Sequence, residues 1–404
     1  MRRRTTAAVL VPVLALALGA CAALEPTNQE NLPDDGSFVG VAEGDWADHG
    51  MAAGSVRLAG RLVGLGQGQN VVTSPLGLQL AMSVLAEGAT GATALQLEET
   101  LGVPRGGSQV VADLRAALVP YAGDASAVDP ASPPATPVLD IADVLVVTPG
   151  QELLPTFTRR ASSYHQARVL EADFAGGTAK ATLDAWVTEQ TAGALTAMPW
   201  DPAPESMMVV LDAVTFAATW EHPFPAATDR PFTFGDGSQL PVRMMSQTLT
   251  TAYAADEGWQ AVELPYSEGF VLRLALTSDG RAPAWATIDD RLDEAGDSAV
   301  EVVLPTWRTD SALSVRPMLR SIGLSAITRP GHLEDMAEAA VISGIGQMVS
   351  FSVGELGTMS GSAGAGDGGV TPAASIVLDR AFEYQVVHAD TGMVVLAGRL
   401  VDPR

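Results

Sequence analysis

The chain has 404 residues, 47% of them hydrophobic and 17% charged, with 47 Asp and Glu against 23 Lys and Arg and a formal net charge of −24. That charge argues against a nucleic-acid partner and against electrostatic adhesion to anionic lipid, and it suits a large apolar chain that must stay in solution. A single cysteine excludes an intramolecular disulfide, so the fold must stand on its core.

Arg2, Arg3 and Arg4 precede an apolar run from Ala7 to Leu18 and then small residues, the three-part layout of an export signal. The run is too short to be read as a spanning helix. Leu18-Gly19-Ala20-Cys21 resembles a bacterial lipobox, which implies removal of residues 1–20 and acylation of Cys21. The mature chain would then lose three arginines and no acids and carry −27. The segment 24–35 is polar with two prolines and reads as a tether. The expected division is a signal peptide at 1–20, a lipidated cysteine and tether at 21–45, and one domain at 46–404. Length alone would suggest two domains, but no linker-like stretch divides the rest of the chain.

Asn70–Ser74 reads as a short extended stretch. Leu78, Ala81, Met82 and Leu85 then recur at helical spacing up to Gly88, a stop. A second helix follows, with Thr93 and Gln96 placed as a capping box and Ala94, Leu97 and Leu101 on one face. Residues 123–137 form a Pro/Ala/Ser loop. Val138–Val147 has strand character, Leu183, Trp186 and Val187 start an amphipathic helix, and Met207–Trp220 is a long β-branched run fit for a buried strand. From Gln239 onward strand patterns dominate: Val242–Met245, Val262–Pro265, Phe270–Leu276, Val300–Leu304, Val349–Val353, Ile376–Leu378, Tyr384–Val387 and Met393–Leu400. Helices early and strands late predict an α+β protein with large sheets.

Ordered along the chain, these segments resemble the serpin family. The resemblance rests on Asn70-Val71-Val72-Thr73-Ser74-Pro75, Glu87 to Thr93, Trp186-Val187 with Thr191 and Gly193, and Thr215 to Trp220 with Pro223-Phe224. It continues through Pro231-Phe232, Met244-Met245, Glu263 to Tyr266, Leu304-Pro305, Leu319 with Gly323, Asp379 to Phe382 and Gly398-Arg399 with Pro403. Each piece is weak alone; about ten in order over more than 300 residues leave little room for chance. The resemblance implies the serpin fold: three β-sheets including a large central one, about eight or nine helices, and an exposed reactive-centre loop, here about 357–379. It also implies a monomeric inhibitor of serine or cysteine proteases that is not itself an enzyme. A protease attacks the loop and forms an acyl-enzyme, and the hinge side then inserts as a new strand.

Beneath the central sheet the family commonly has a second serine where this chain has Gly77, an asparagine where it has Asp212 and a histidine where it has Gln347; Ser74 and Trp220 fit its pattern. Asp212 and Gln347 retain the chemistry to hydrogen-bond each other. Glu355-Leu356-Gly357-Thr358 resembles the hinge. Alternate residues of an inserting strand face inward, so the inward set would be Thr358, Ser360, Ser362 and Gly364, all small. No charge or proline interrupts 357–366, although Gly/Ser/Ala tracts are also ordinary linkers. Family spacing points to Thr371-Pro372 as the scissile bond. Cleavage before proline is poor, which favours Val370-Thr371 and an elastase-like or subtilisin-like target.

The rival reading is a non-inhibitory serpin-fold protein that carries a ligand or acts at a surface. An enzyme fits worse. His49, His165, His222, His332 and His388 are scattered, and no H-E-x-x-H, G-x-S-x-G or S-x-x-K motif, nucleotide loop or metal cluster accompanies them, so no cofactor is expected. The expected location is outside the cytoplasm, held by the lipid on Cys21 or released from it.

Overall fold

The computed structural model describes residues 29–31, 50–103, 106–124, 128–129, 133–358 and 372–404. In chain order the elements are β1 (Gln29–Asn31), α1 (Met51–Val63), β2 (Val71–Thr73), α2 (Pro75–Gly88), α3 (Gly91–Leu101), α4 (Ser108–Leu118), β3 (Val138–Val147), α5 (Pro155–His165), β4 (Arg168–Glu171), α6 (Ala179–Gln190) and β5 (Met208–Thr219). There follow β6 (Thr228–Thr233), β7 (Gln239–Asp256), β8 (Trp259–Pro265), β9 (Phe270–Thr277), α7 (Trp285–Glu294), β10 (Asp297–Pro305), β11 (Trp307–Ser314), α8 (Arg316–Leu319), β12 (Ile342–Val353), β13 (Gly357–Thr358), β14 (Ala374–Val377), β15 (Phe382–His388) and β16 (Met393–Leu400).

The first sheet runs β1-β4-β3-β5-β13-β12-β11. The α+β fold with three sheets is present, and the second and third are continuous. The 18-residue β7 pairs with β10 through Ala252 and with β8 from Tyr253 onward, so one strand serves both. Among the described residues there are eight α-helices.

The reason for α2 is local. Ser74 at its N-cap accepts the Gly77 N–H at 2.9 Å and Pro75 occupies the first turn, so both start signals are in the sequence. The helix is buried on nearly all sides because it lies between the first sheet and β16. Burying a leucine such as Leu76, Leu78 or Leu80 contributes about 1.5–3 kcal/mol. In β5 all residues but the last are buried, because α2 covers one face and α6 the other; hence its unbroken apolar run. On the outer face Leu183, Trp186 and Val187 of α6 join Val144, Val146, Val209 and Leu211.

One local expectation is corrected. α3 begins at Gly91 with Thr90 at its N-cap, so Thr93 and Gln96 do not form a capping box. Thr93 is buried instead, and its hydroxyl hydrogen-bonds His332 Nδ1 at 2.9 Å.

Candidate functional site

Two neighbouring features of the first sheet make the site: the seam between β5 and β12, and a wedge at its upper end. β5 and β12 are parallel, and they pair from Met208 with Ile342 up to Thr215 with Ser350. Above that register the strands diverge, and β13 stands between them. Gly357 pairs with Thr219 and Thr358 with Ala218, antiparallel, while Val353 of β12 pairs with Thr358 from the other side.

A turn delivers the wedge: the Gly354 N–H donates to the Gly357 carbonyl at 2.9 Å and the Gly357 N–H donates back at 3.3 Å. Gly357 has φ +151°, and a Cβ there would lie 2.0 Å from the Ala218 carbonyl oxygen, so only glycine fits. The turn is then fixed to the end of β5. The Trp220 N–H donates to the Leu356 carbonyl at 2.9 Å and its indole N–H to the Gly354 carbonyl at 2.8 Å. The Phe224 N–H donates to the Glu355 carbonyl at 2.8 Å, and the buried Glu355 carboxylate accepts from the Ala227 N–H at 3.1 Å. Thr358 is fully buried, and its hydroxyl meets the Tyr266 hydroxyl at 2.6 Å. Tyr266 stacks on Trp220 with ring centroids 4.4 Å apart. Burial pushes the Tyr266 phenol well above its ordinary value, so it remains a neutral hydrogen-bonding partner.

Beneath the seam, Gln347 holds both sides. Its Oε1 accepts from the Ser74 N–H at 2.9 Å, and its Nε2 donates to the Ser74 carbonyl at 2.7 Å and to Asp212 Oδ2 at 2.6 Å. Ser74 Oγ in turn donates to the Val395 carbonyl at 2.7 Å, which ties the seam to β16. Gly77 explains how a carboxyl fits here, since a Cβ at that position would lie 2.4 Å from Asp212 Oδ1. Burial pushes the Asp212 carboxyl well above the ordinary carboxylate range, and the neighbouring Asp143 pushes it further. On the outer face Gly344 and Gly346 of β12 lie under the Trp200 ring, which a Cβ would strike at 2.4 and 2.9 Å.

Ser74, Gly77, Asp212 and Gln347 are thus one cluster, and Trp220, Glu355, Gly357 and Thr358 another. Thr358 faces inward, as the alternation requires. Ser360, Ser362, Gly364, Val370, Thr371 and Cys21 lie outside the described residues, while Pro372 is exposed ahead of β14. Sequence reasoning missed Arg115 and Asp143 beside the seam, and it assigned no role to Tyr266. Among the described residues, no group of three or more His, Cys, Asp or Glu is placed to hold a metal ion, and no helix is long and apolar enough to cross a membrane.

The family profile Serpin (serine protease inhibitor) matches residues 50–403. The chain belongs to the serpin family. An uncharacterized serpin-like protein of Thermococcus kodakarensis is 25% identical over 362 residues, which is 84% of this chain and 82% of its own length. Neuroserpin of Mus musculus is 24% identical over 394 residues, 90% of this chain and 93% of its own. Among solved structures, the thermophilic serpin tengpin in its native state matches with a TM-score of 0.78 at 20% identity, over 90% of this chain and 96% of that one. Thyroxine-binding globulin with thyroxine matches with 0.73 at 18%, over 88% and 99%. Serpins are in general protease inhibitors rather than catalysts, and in this serpin the wedge and the seam are the parts that a loop-inserting inhibitor would use.

Proposed function

We propose that the chain is a single-use inhibitor of serine endopeptidases, and by the same chemistry of cysteine endopeptidases. The observation that supports it most is the wedge: Gly357 and Thr358 already form an antiparallel strand between β5 and β12, with Thr358 facing inward. The protease cleaves at Val370-Thr371, with Thr371-Pro372 as the alternative bond, and becomes acylated. The chain N-terminal to the cut then extends β13 downward along the seam, placing Ser360, Ser362 and Gly364 inside. Val370 on the acyl side suits an elastase-like or subtilisin-like pocket. The lipobox-like Cys21 would hold this bacterial lipoprotein-type serpin at the outer face of the cell membrane. Exchange of Cys21 for Ala should then release it into the medium.

The test is incubation of residues 36–404 with one elastase-like and one subtilisin-like protease, read on a denaturing gel and by sequencing the released peptide. An SDS-resistant adduct and a peptide beginning at Thr371 are expected. Cleavage with no adduct and no gain in heat stability would sink the inhibitor reading. A carrier would then take its place, for which one observation speaks: a cleft of about 400 Å³ lined by Val56, Arg273, Asp289, Val387 and neighbours.

A further inference from the structure

Asp143 and Asp212 stand directly opposite each other in the antiparallel β3–β5 ladder. Residues so placed have Cβ atoms about 4.5–5.5 Å apart on one face of the sheet. Each uses one carboxyl oxygen. Asp143 Oδ2 accepts from Arg115 Nη2 at 2.5 Å, and Asp212 Oδ2 accepts from Gln347 Nε2 at 2.6 Å. The remaining oxygens, Oδ1 of both, are buried and have no hydrogen-bond partner among the described residues. Two orphan buried acceptors on facing residues are costly, and two carboxylates ionised opposite each other in one ladder would repel.

We infer that Asp143 and Asp212 share one proton, carried on Asp212 and donated to Asp143, so that the β3–β5 ladder next to the seam is a proton-binding site. A single O–H···O bond satisfies both orphan oxygens and leaves one ionised carboxylate, on Asp143, beside Arg115. Arg115 of α4 fixes which partner is ionised, because it touches Asp143 and not Asp212. The other charged groups that act here, His165 of α5 and Arg168 of β4, also act on Asp143. From β12 and α2 the pair meets Gln347 and Gly77, neither of them charged.

The sign follows from the geometry. Burial and the opposed carboxylate raise the folded-state pKa of Asp212 above its unfolded value, so the stability held in this proton is complete below the ordinary Asp range. It is lost as pH rises toward the folded pKa. An ionised Asp212 repels Asp143 across β3 and β5 and is relieved when water enters between β5 and β12. On the reading of the chain as an inserting inhibitor, on which this regulatory half rests, rising pH therefore loosens the seam for the loop.

Asp212→Asn keeps the acceptor for Gln347 and presents an amide N–H to Asp143, which imitates the protonated state. Urea unfolding of the full chain is compared with that of D212N from about pH 4 to about pH 9. Above the ordinary carboxylate range and up to the raised pKa, the native unfolding equilibrium should shift about tenfold per pH unit relative to D212N. An infrared spectrum at neutral pH should show a carboxylic-acid carbonyl band that D212N lacks. It should also shift in Asp143→Asn, where the opposed carboxylate that receives the Asp212 proton is gone. Parallel pH profiles with no such band would overturn the shared proton. Uptake of a peptide copying residues 357–370 should quicken with pH in the native chain and not in D212N. No uptake at any pH would refute insertion, while the infrared band would still decide the proton.

Discussion

At the scale of single residues, Gly77 and Asp212 act as one choice. The space that a Cβ on residue 77 would need is filled by the Asp212 carboxyl and by Val214. Gly77→Ala should therefore cost about 1–3 kcal/mol by overpacking. The cost should fall in an Asp212→Ala background, and urea unfolding of the four proteins of a double-mutant cycle measures the difference. Full additivity would mean that the two sites do not share that space. Glu87 offers a second test. Burial alone would raise its carboxyl, but hydrogen bonds from His165 Nε2 at 2.8 Å, Ser108 at 2.5 Å and Arg160 at 2.5 Å hold it down to about 2. Its folded pKa lies below its unfolded one, so its contribution is present above about pH 4.5 and lost as pH falls toward 2. Relative to Glu87→Gln, the native chain should lose roughly 3 kcal/mol across that window in acid unfolding. Asp212 and Gln347 were legible as partners from family spacing alone. Asp143 was not, because nothing in Asp-Ile-Ala-Asp says which of its residues will face position 212; strand pairing decides that, and pairing is non-local.

At the scale of elements, the wedge depends on one backbone geometry. Gly357→Ala places a methyl group against the Ala218 carbonyl, so β13 must leave the sheet. Hydrogen exchange at the Thr358 and Trp220 amides should accelerate by an order of magnitude or more, with exchange at the lower part of β5 unchanged. Equal protection in the variant would show that the turn tolerates a side chain. Met393–Leu400, buried almost throughout, and Val138–Val147, buried over its last four residues, were readable from their apolar runs and carry the bounds that composition suggests. β11 escaped notice because it is the edge strand of the first sheet. Trp307 and Thr309 point inward and Arg308 and Asp310 outward, a pattern too polar to stand out. α5 was hidden for a similar reason, since only Phe157, Ala161 and His165 of its eleven residues are buried.

At the scale of the whole molecule, the family's order of motifs carried the fold, and the sheet arrangement gives that order its meaning. Parallel pairing is slightly less stable per residue than antiparallel, and β5–β12 is a parallel contact inside an otherwise largely antiparallel sheet. A strand that continues β13 downward would replace one parallel contact with two antiparallel ones. On the proposed inserting mechanism the intact protein should therefore age: held warm, it should slowly lose inhibitory capacity while its unfolding temperature rises. Loss of both together, as in ordinary denaturation, would count against the idea.

The wedge also sets a clock. For a chain that inserts its loop as proposed, two residues are already seated, and the time before it spends itself unprovoked would be governed by the barrier to parting the next rungs of β5 and β12. Shelf life and speed of capture are then the same quantity seen from two sides. Any substitution that lengthens the one should slow the other.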